Sequence, residues 1–222
     1  MRFFLFVLLV SLSMACESPL KLKKFEFLVN KAKLQAPISK ISYKLNGDFC
    51  NEYFYLSNGS YMTFEISEEK NEHKRSELRF LKEWSVDCEK EKFIEERVKL
   101  VEFNKREFTF LQIHDGKKPL IRVVWYKNLK HKNNHLWAFV RLNEFDGEKR
   151  RVKVFDLGKS TKEFFDIRLS VKKNELKVCI NNKEKLEFNV GYWKNKSYFK
   201  TGVYLQDVGK AKIYIDKIKL SD

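Results

Sequence analysis

Two short segments of the chain carry polar and titratable side chains at alternate positions. In KRSELRF these are Arg75, Glu77 and Arg79, and in LQIHD they are Gln112 and His114. Side chains of a strand point alternately to its two faces, so this spacing puts each polar set on one face of its strand. Taken alone, each pattern is also typical of an ordinary charged strand surface.

A third segment, YFKTGVYLQ, alternates in the same way. Its apolar face holds Phe199, Thr201, Val203 and Leu205. Its polar face holds Tyr198, Lys200, Gly202, Tyr204 and Gln206. Two tyrosines, a lysine and a glutamine on one face exceed what solubility requires, and the glycine leaves a gap between them.

The three segments together supply the groups needed to remove a proton beside a carboxylate. That reaction needs cations or amides to neutralise the carboxylate, a base, and an acid for the leaving oxygen. Arg75, Arg79 and Lys200 disfavour an imidazolium nearby, so we expect His114 to be neutral near pH 7. The side chains themselves neutralise the carboxylate, so we expect no metal and no cofactor.

Apolar–polar alternation between turn signals predicts the strands that hold these side chains. About ten short strands at this spacing are typical of an antiparallel β-sandwich, whose outer polar face can hold a long ligand. Lys21–Leu34 is ambiguous between strand and short helix, and Asp87–Val101 between helix, strand and loop. The predicted segments are Tyr53–Ile66 (two strands), Phe108–His114, Leu120–Tyr126, Leu136–Leu142, Val152–Leu157, Phe164–Val171, Glu175–Ile180, Lys185–Val190, Tyr198–Gln206 and Ala211–Leu220.

Residues 1–15 have the pattern of a secretory leader: Arg2, an apolar run and a small-residue cleavage site. The apolar run is too short to span a membrane as a helix. We therefore expect residues 16–222 to form one domain of an exported protein. That protein is secreted, periplasmic or lipid-anchored through Cys16, as in an imperfect lipoprotein signal.

The chain has four cysteines, and Cys50–Cys88 is the disulfide we expect first, because both flank predicted strands. Lysine and arginine exceed aspartate and glutamate by 15, which predicts attraction to a polyanion. Export and the absence of a recognisable binding motif argue against nucleic acid. Anionic lipid and acidic polysaccharide are the other polyanions that qualify.

RSELR, QIH and YFKTGVYLQ, in this order, resemble the three signature segments of the family-7 polysaccharide lyases. Thr201 stands where that family usually has alanine, and Leu205 where asparagine is common; both face away from the cleft. The resemblance implies a jelly roll of two antiparallel sheets with a concave cleft. It also implies cleavage of alginate by β-elimination to leave unsaturated uronate ends, by a protein we expect to be a monomer.

The resemblance also implies roles for the site residues, with Gln112 and Arg75 binding the carboxylate. His114 is neutraliser or base, and Tyr204 is general acid and also a candidate base. The isoleucine of QIH tends to accompany guluronate or mixed blocks. The substrate-binding residues implied are Arg79, Lys200, Gln206, Tyr198 and Glu77.

Three other functions compete with this one. A glycoside hydrolase needs paired carboxylates, but Glu144–Glu148 has unsuitable spacing and an Asp-Gly turn. A non-catalytic module for acidic polysaccharides would bind alginate without producing unsaturated ends. A lyase for another uronan, such as glucuronan, would use the same chemistry.

Overall fold

The computed structural model describes residues 16–70, 73–103, 106–143 and 151–221. Within these residues two short 3-10 helices, Pro19–Lys21 and Glu26–Leu28, precede fifteen strands. The strands are β1 (Ala32–Gln35), β2 (Ser42–Lys44), β3 (Phe54–Ser57), β4 (Tyr61–Glu68), β5 (Arg75–Phe80), β6 (Lys92–Phe103), β7 (Glu107–His114), β8 (Pro119–Leu129), β9 (Lys132–Arg141), β10 (Val152–Lys159), β11 (Phe165–Lys172), β12 (Glu175–Ile180), β13 (Lys183–Asn189), β14 (Tyr198–Tyr204) and β15 (Gly209–Leu220).

The strands form two antiparallel sheets. The front sheet has eight described strands in the order β10-β9-β8-β7-β14-β5-β1-β2, and the back sheet has seven in the order β13-β12-β11-β6-β15-β4-β3. Every pairing between neighbours is antiparallel. The predicted β-sandwich is therefore confirmed.

One apolar core fills the space between the sheets. Alternate residues of each strand enter it, such as Ile113 on β7, Val123 on β8 and Val98 on β6, and all are fully buried. The pleat points the intervening residues of the front sheet outward. There they form polar faces on β5, β7 and β14 and a second, small apolar cluster on β8 and β9 around Val124, Tyr126 and Trp137.

Bulges interrupt the pairing of two adjacent front strands. The register of β7 against β8 shifts between Thr109 and Leu111, and that of β14 against β7 shifts between Thr201 and Tyr204. An extra residue in one strand changes the alternation beyond it. Thr109 consequently shares the outer face with Gln112 and His114. Strand β14 keeps an unbroken register with β5, so Tyr204 stays on the same face as Lys200 by plain alternation.

The two ambiguous segments each have a definite structure. Lys21–Leu34 contains the 3-10 helix Glu26–Leu28 and the start of β1. Asp87–Val101 is mostly β6, because Ile94, Val98 and Leu100 follow a period of two and enter the core. Strands β1 and β2 had no clear signal in the sequence.

The predicted Cys50–Cys88 disulfide is wrong. Cys50 is bonded to Cys16, 34 residues away in sequence, which ties the start of the described chain to the segment before β3. Cys88 is a free thiol that donates to the carbonyl of Val171 at 3.6 Å, so it lies in a loop against the back sheet. Cys179 is also free.

Two further predictions fall outside the described residues. These are the leader at residues 1–15 and the acidic segment Glu144–Glu148. Within the described ranges, no helix has the length and apolar character needed to cross a membrane.

Candidate active site

The three signature segments lie on adjacent strands of the front sheet. RSELR forms β5 and QIH ends β7, and β14 lies between them. The polar faces predicted separately therefore meet in one outward-facing cleft with a volume of about 260 Å³. The described residues that line it are Gln35, Ser39, Arg75, Gln112, His114, Gly116, Lys117, Pro119, Arg122, Tyr198, Lys200, Tyr204 and Gln206.

Glu77 lies beneath this cleft and contacts three of the predicted residues. Its carboxylate accepts hydrogen bonds from Lys200 Nζ at 2.5 Å, Arg75 Nη1 at 3.2 Å and the Gln112 amide. Glu77 and Lys200 are both only 2% exposed. Buried charges need such partners, so this cluster determines the position of all three donors.

Burial lowers the pKa of Lys200, and the Glu77 carboxylate opposes that effect. Arg75 and Arg79 act in the same direction as burial, since their charges disfavour another cation. The lysine and the two arginines thus form a cationic centre around a single buried acid.

His114 is neutral, as expected from its surroundings. Its pKa is lowered to about 3, first by burial and then by the charges of Lys200, Arg75 and Arg79. The direction predicted from the neighbouring cations is confirmed. The largest cause, burial between neighbouring strands, was not visible in the sequence.

The hydrogen bonds of His114 determine which nitrogen carries its proton. The backbone N–H of Gly116 donates to Nδ1 at 3.1 Å, and the Tyr198 hydroxyl lies 3.3 Å from the same atom. A backbone N–H can only donate, so Nδ1 carries no proton. The neutral ring therefore has its proton on Nε2.

Tyr198 lines the cleft, whereas Arg79 is not among the described lining residues and stacks on the Tyr198 ring. The Arg79 guanidinium lies 4.1 Å from the centre of the Tyr198 ring, and Arg79 also pairs with Glu83 at 2.9 Å. Arg75, not Arg79, is the arginine bonded to Glu77, which answers a question left open by the sequence. Burial raises the pKa of Tyr198, so its hydroxyl stays protonated.

Tyr204 faces the same cleft from the other side of Gly202. The Arg75 guanidinium lies 4.4 Å from the centre of its ring and holds it in place. Its hydroxyl lies 3.4 Å from Nδ1 of His73, an exposed residue just before β5. Sequence reasoning missed His73, although it lies two residues before Arg75 and continues the alternation of RSELR.

Arg122 is a second residue that sequence reasoning missed. It is 4% exposed, lines the cleft from β8, donates to Thr109 Oγ1 at 3.2 Å and bonds to the Gln206 side chain. The sequence did contain a signal, because Arg122 is the one charged residue in the apolar strand LIRVVWY.

The chemistry of the lining defines a class of enzyme. No carboxylate is among the described lining residues, whereas a glycoside hydrolase of the usual kind needs two. The described chain also contains no group of three or more histidine, cysteine or acidic side chains placed to hold a metal ion. A sandwich with a cationic cleft, a neutral histidine and a tyrosine is the arrangement of a polysaccharide lyase.

Comparisons with known proteins agree with this class. The chain matches the sequence profile of the alginate lyase family over residues 27–221. An alginate lyase of Photobacterium sp. (strain ATCC 43367) is 27% identical over 223 residues, covering 82% of this chain and 77% of that protein.

Solved structures show the same fold. Alginate lyase AlyC3 superimposes with a TM-score of 0.81 at 25% identity, covering 93% of this chain and 96% of AlyC3. Alginate lyase A1-II′, a member of polysaccharide lyase family 7, gives a TM-score of 0.70 at 21% identity, covering 87% and 95%.

The chain belongs to the alginate lyase family. It is accordingly a jelly-roll polysaccharide lyase that acts on alginate.

Proposed function

We propose that the cleft between β5, β14 and β7 cleaves alginate by β-elimination, with Arg75, Gln112 and His114 stabilising the substrate carboxylate. The observation that carries this proposal is the meeting of these three residues with Tyr204 in one cleft. Loss of the C5 proton puts a second negative charge beside the carboxylate. Donors already held in place stabilise that charge without reorganisation.

His114 acts in this scheme as a hydrogen-bond donor. Its Nδ1 is occupied by the Gly116 N–H, so Nε2 has a proton to give and no free lone pair. The pKa of about 3 keeps the ring in this neutral form at any ordinary pH. These two facts favour charge neutralisation over the base role that the resemblance left open.

Tyr204 then serves as both base and acid. In its ionised form the phenol oxygen takes the C5 proton, and the resulting hydroxyl gives a proton to the departing O4. The tyrosine returns to its starting state, and a C4–C5 double bond remains in the product. One residue can do both only if the proton and the leaving oxygen lie on the same side of the sugar.

That requirement bears on the substrate. H5 and O4 lie on the same side in mannuronate and on opposite sides in guluronate. We propose that the enzyme acts on mixed blocks, as the QIH segment suggests, and cuts where a mannuronate occupies the reactive position. Glucuronan shares the same-side arrangement and is the second candidate substrate.

The remaining predicted residues bind the polymer in this proposal. By register, Lys33, Arg79, Lys200, Gln112 and Arg122 lie side by side on five neighbouring strands. Neighbouring strands are about 4.8 Å apart, so the row offers a regular series of donors to a chain of carboxylates crossing the sheet.

Tyr198, Gln206 and Glu77 support this row. Tyr198 bonds His114, and Gln206 bonds Arg122 at the edge of the cleft. Glu77 is buried beneath the row, so its role is to hold Arg75, Gln112 and Lys200 instead of touching sugar.

The test measures the ultraviolet absorbance of unsaturated product ends on alginate, polymannuronate, polyguluronate and glucuronan. We expect Tyr204→Phe and His114→Ala each to lose at least about 10³-fold in kcat while remaining folded. His114→Gln keeps an N–H donor and should retain more activity than His114→Ala. The control Tyr214→Phe changes a back-sheet tyrosine that stacks on Tyr61.

Wild-type rates in Tyr204→Phe would rule out the proposed mechanism. Saturable alginate binding by the unchanged protein with no unsaturated product would instead identify a binding module. Faster cleavage of polyguluronate than of polymannuronate would contradict the same-side arrangement. A base role for His114 would then follow.

We also propose that residues 1–15 are a leader removed on export, leaving one domain from Cys16 onward. Bonding of Cys16 to Cys50 supports a secreted or periplasmic form, because a lipid on the Cys16 sulfur would exclude the disulfide. The intact mass of the exported protein tests this. A diacylglyceryl adduct would establish the lipid-anchored form instead.

A further inference from the structure

Asp115 follows His114 directly and begins the turn between β7 and β8. Its Oδ1 atom accepts hydrogen bonds from the backbone N–H groups of Lys117 at 2.8 Å and Lys118 at 2.7 Å. Its own backbone N–H donates to the Lys118 carbonyl at 3.1 Å. A carboxylate that bonds the backbone two and three residues further on closes the chain into a tight turn. The Asp115 side chain thus determines the course of the backbone at Gly116.

The second oxygen of Asp115 ties this turn to the loop before β14. The Asn195 side-chain N–H donates to Oδ2 at 2.8 Å. That loop is itself anchored, because Trp193 is 1% exposed and its Nε1 donates to Ser197 Oγ at 3.0 Å. Both oxygens of Asp115 therefore have partners, and the turn cannot shift without breaking these bonds.

The turn brings one backbone N–H group to the ring of His114. Gly116 N–H donates to His114 Nδ1 at 3.1 Å. Gly116 lies between Asp115 and Lys117, so the bonds of the Asp115 carboxylate fix the direction of this N–H. Asp115 itself is not among the described residues that line the cleft, so it acts on the site through its neighbours.

Two groups approach Nδ1 of His114, but they differ in what they require of it. The Tyr198 hydroxyl, at 3.3 Å, can donate or accept and therefore fits either tautomer. The Gly116 N–H can only donate, so it fits only a ring with no proton on Nδ1. A proton on Nδ1 would set two N–H groups against each other. The tautomer of His114 thus depends on the Gly116 contact.

We propose that Asp115 is a positioning residue that selects the tautomer of His114. By closing the turn it directs the Gly116 N–H at Nδ1 and keeps the ring proton on Nε2. In the proposed function Nε2–H is the group that stabilises the substrate carboxylate. Only the kinetic consequence of the proposal rests on that function, since the tautomer is a property of the protein alone.

The first measurement uses nitrogen-15 NMR of the histidine rings at neutral pH, where the shifts separate a protonated from an unprotonated nitrogen. Loss of signals in His114→Gln identifies those of His114. Wild type and Asp115→Asn should show the proton on Nε2, because asparagine keeps an Oδ1 acceptor for the turn. Asp115→Ala should shift both ring signals toward the average of the two tautomers.

Asn46→Ala is the matched control for loss of a turn. Asn46 Oδ1 accepts from the backbone N–H of Asp48 at 3.1 Å, in the segment between β2 and β3. Its variant loses the same kind of bond away from the cleft, so the His114 signals and kcat should both match wild type.

Tyr198→Phe tests the competing contact with Nδ1. It removes the hydroxyl but leaves the Gly116 N–H in place, so the proton should stay on Nε2. A change of tautomer in Tyr198→Phe would assign the choice to the hydroxyl and overturn the proposal. Unchanged His114 signals in Asp115→Ala would overturn it as well.

The second measurement uses the steady-state kinetics of alginate cleavage. Asp115→Ala should lose roughly tenfold or more in kcat, and Asp115→Asn should recover most of that loss. In a His114→Gln background, Asp115→Ala should cost less than about twofold, because an amide has no tautomer to select. Equal losses in the two backgrounds would mean that Asp115 does not act through His114.

A further variant keeps the test decisive if Asp115→Ala does not fold. Asp115→Glu retains the charge but carries its carboxylate one methylene beyond the reach of the turn, so the same change in the His114 signals is expected. Unchanged signals in Asp115→Glu would then overturn the proposal. Failure of the unchanged protein to release unsaturated ends would count against the proposed function alone, and the ring signals would still decide whether Asp115 selects the tautomer.

Discussion

At the scale of single residues, Glu77 shows how one buried carboxylate organises a reaction site. It holds an arginine, an amide and a lysine that all face the substrate. The interaction therefore acts on the alignment of three donors, in addition to any effect on stability.

Removing Lys200 should lower the stability of the protein. Lys200→Met leaves Glu77 buried without its closest cation, so we expect a loss of about 3–5 kcal/mol in the free energy of unfolding. Lys219→Met breaks a half-exposed pair with Glu95 and should cost at most about 1 kcal/mol. Urea unfolding measures the loss in each variant. Equal losses would mean that leaving the buried Glu77 carboxylate without Lys200 has no extra cost in stability.

His114 should leave its own mark on acid stability. Its folded pKa is lowered to about 3, whereas an unfolded histidine binds a proton below about pH 6.5. The unfolded state binds more protons between these values, so stability is lost as pH falls through this window. His114→Gln should make the melting temperature less dependent on pH in this window. An unchanged dependence on pH would contradict a neutral His114.

At the scale of elements, the geometry of β14 depends on Gly202. Its φ is +130°, and a Cβ there would come within 2.2 Å of the Ser76 carbonyl oxygen on β5. Glycine alone fits this close approach, which lets β5 and β14 pair across the base of the cleft.

Gly202→Ala should therefore push β5 and β14 apart. We expect a loss of several kcal/mol in the free energy of unfolding and little activity in what remains folded. Gly59→Ala is the matched control, since Gly59 also has a positive φ, of +61°, but open space around it. It should cost about 1 kcal/mol by chemical denaturation. Similar losses in both variants would assign the effect to φ instead of to the contact with Ser76.

Much of this architecture was accessible from the sequence, because period-two patterns in strands such as β7, β8 and β14 are strong. Alternation also placed Arg75, Gln112, His114 and Tyr204 on outward faces. The bulges were not predictable, since they depend on pairing with a neighbouring strand. The Cys16–Cys50 bond and the approach of Arg122 to Gln206 likewise depend on contacts between distant segments.

At the scale of the whole molecule, net charge should govern the binding of alginate to the enzyme. Positive side chains outnumber negative ones by 15, and the described cleft lining contains cations but no carboxylate. Many charges on the back sheet are paired with each other, as Arg168 is with Glu91 and Glu95.

Raising the salt concentration should therefore increase KM for alginate much more than it lowers kcat, because screening weakens attraction before the chemical step. Lys117→Gln at the cleft should reduce the dependence of KM on salt. Lys219→Gln on the back sheet should leave it close to wild type. A KM independent of salt would mean that binding rests on short-range contacts alone.

The edges of the two sheets also bear on self-association. Open edges invite another chain to add a strand, and natural proteins avoid this with short, bulged or charged edge strands. Here β2 and β3 have three and four residues, β10 has a bulge between Asp156 and Gly158, and β13 exposes Lys183 and Lys185. The four edges formed by the described strands are thus poor templates for strand addition. The protein should remain a monomer and resist fibril formation even when concentrated on a polymer gel.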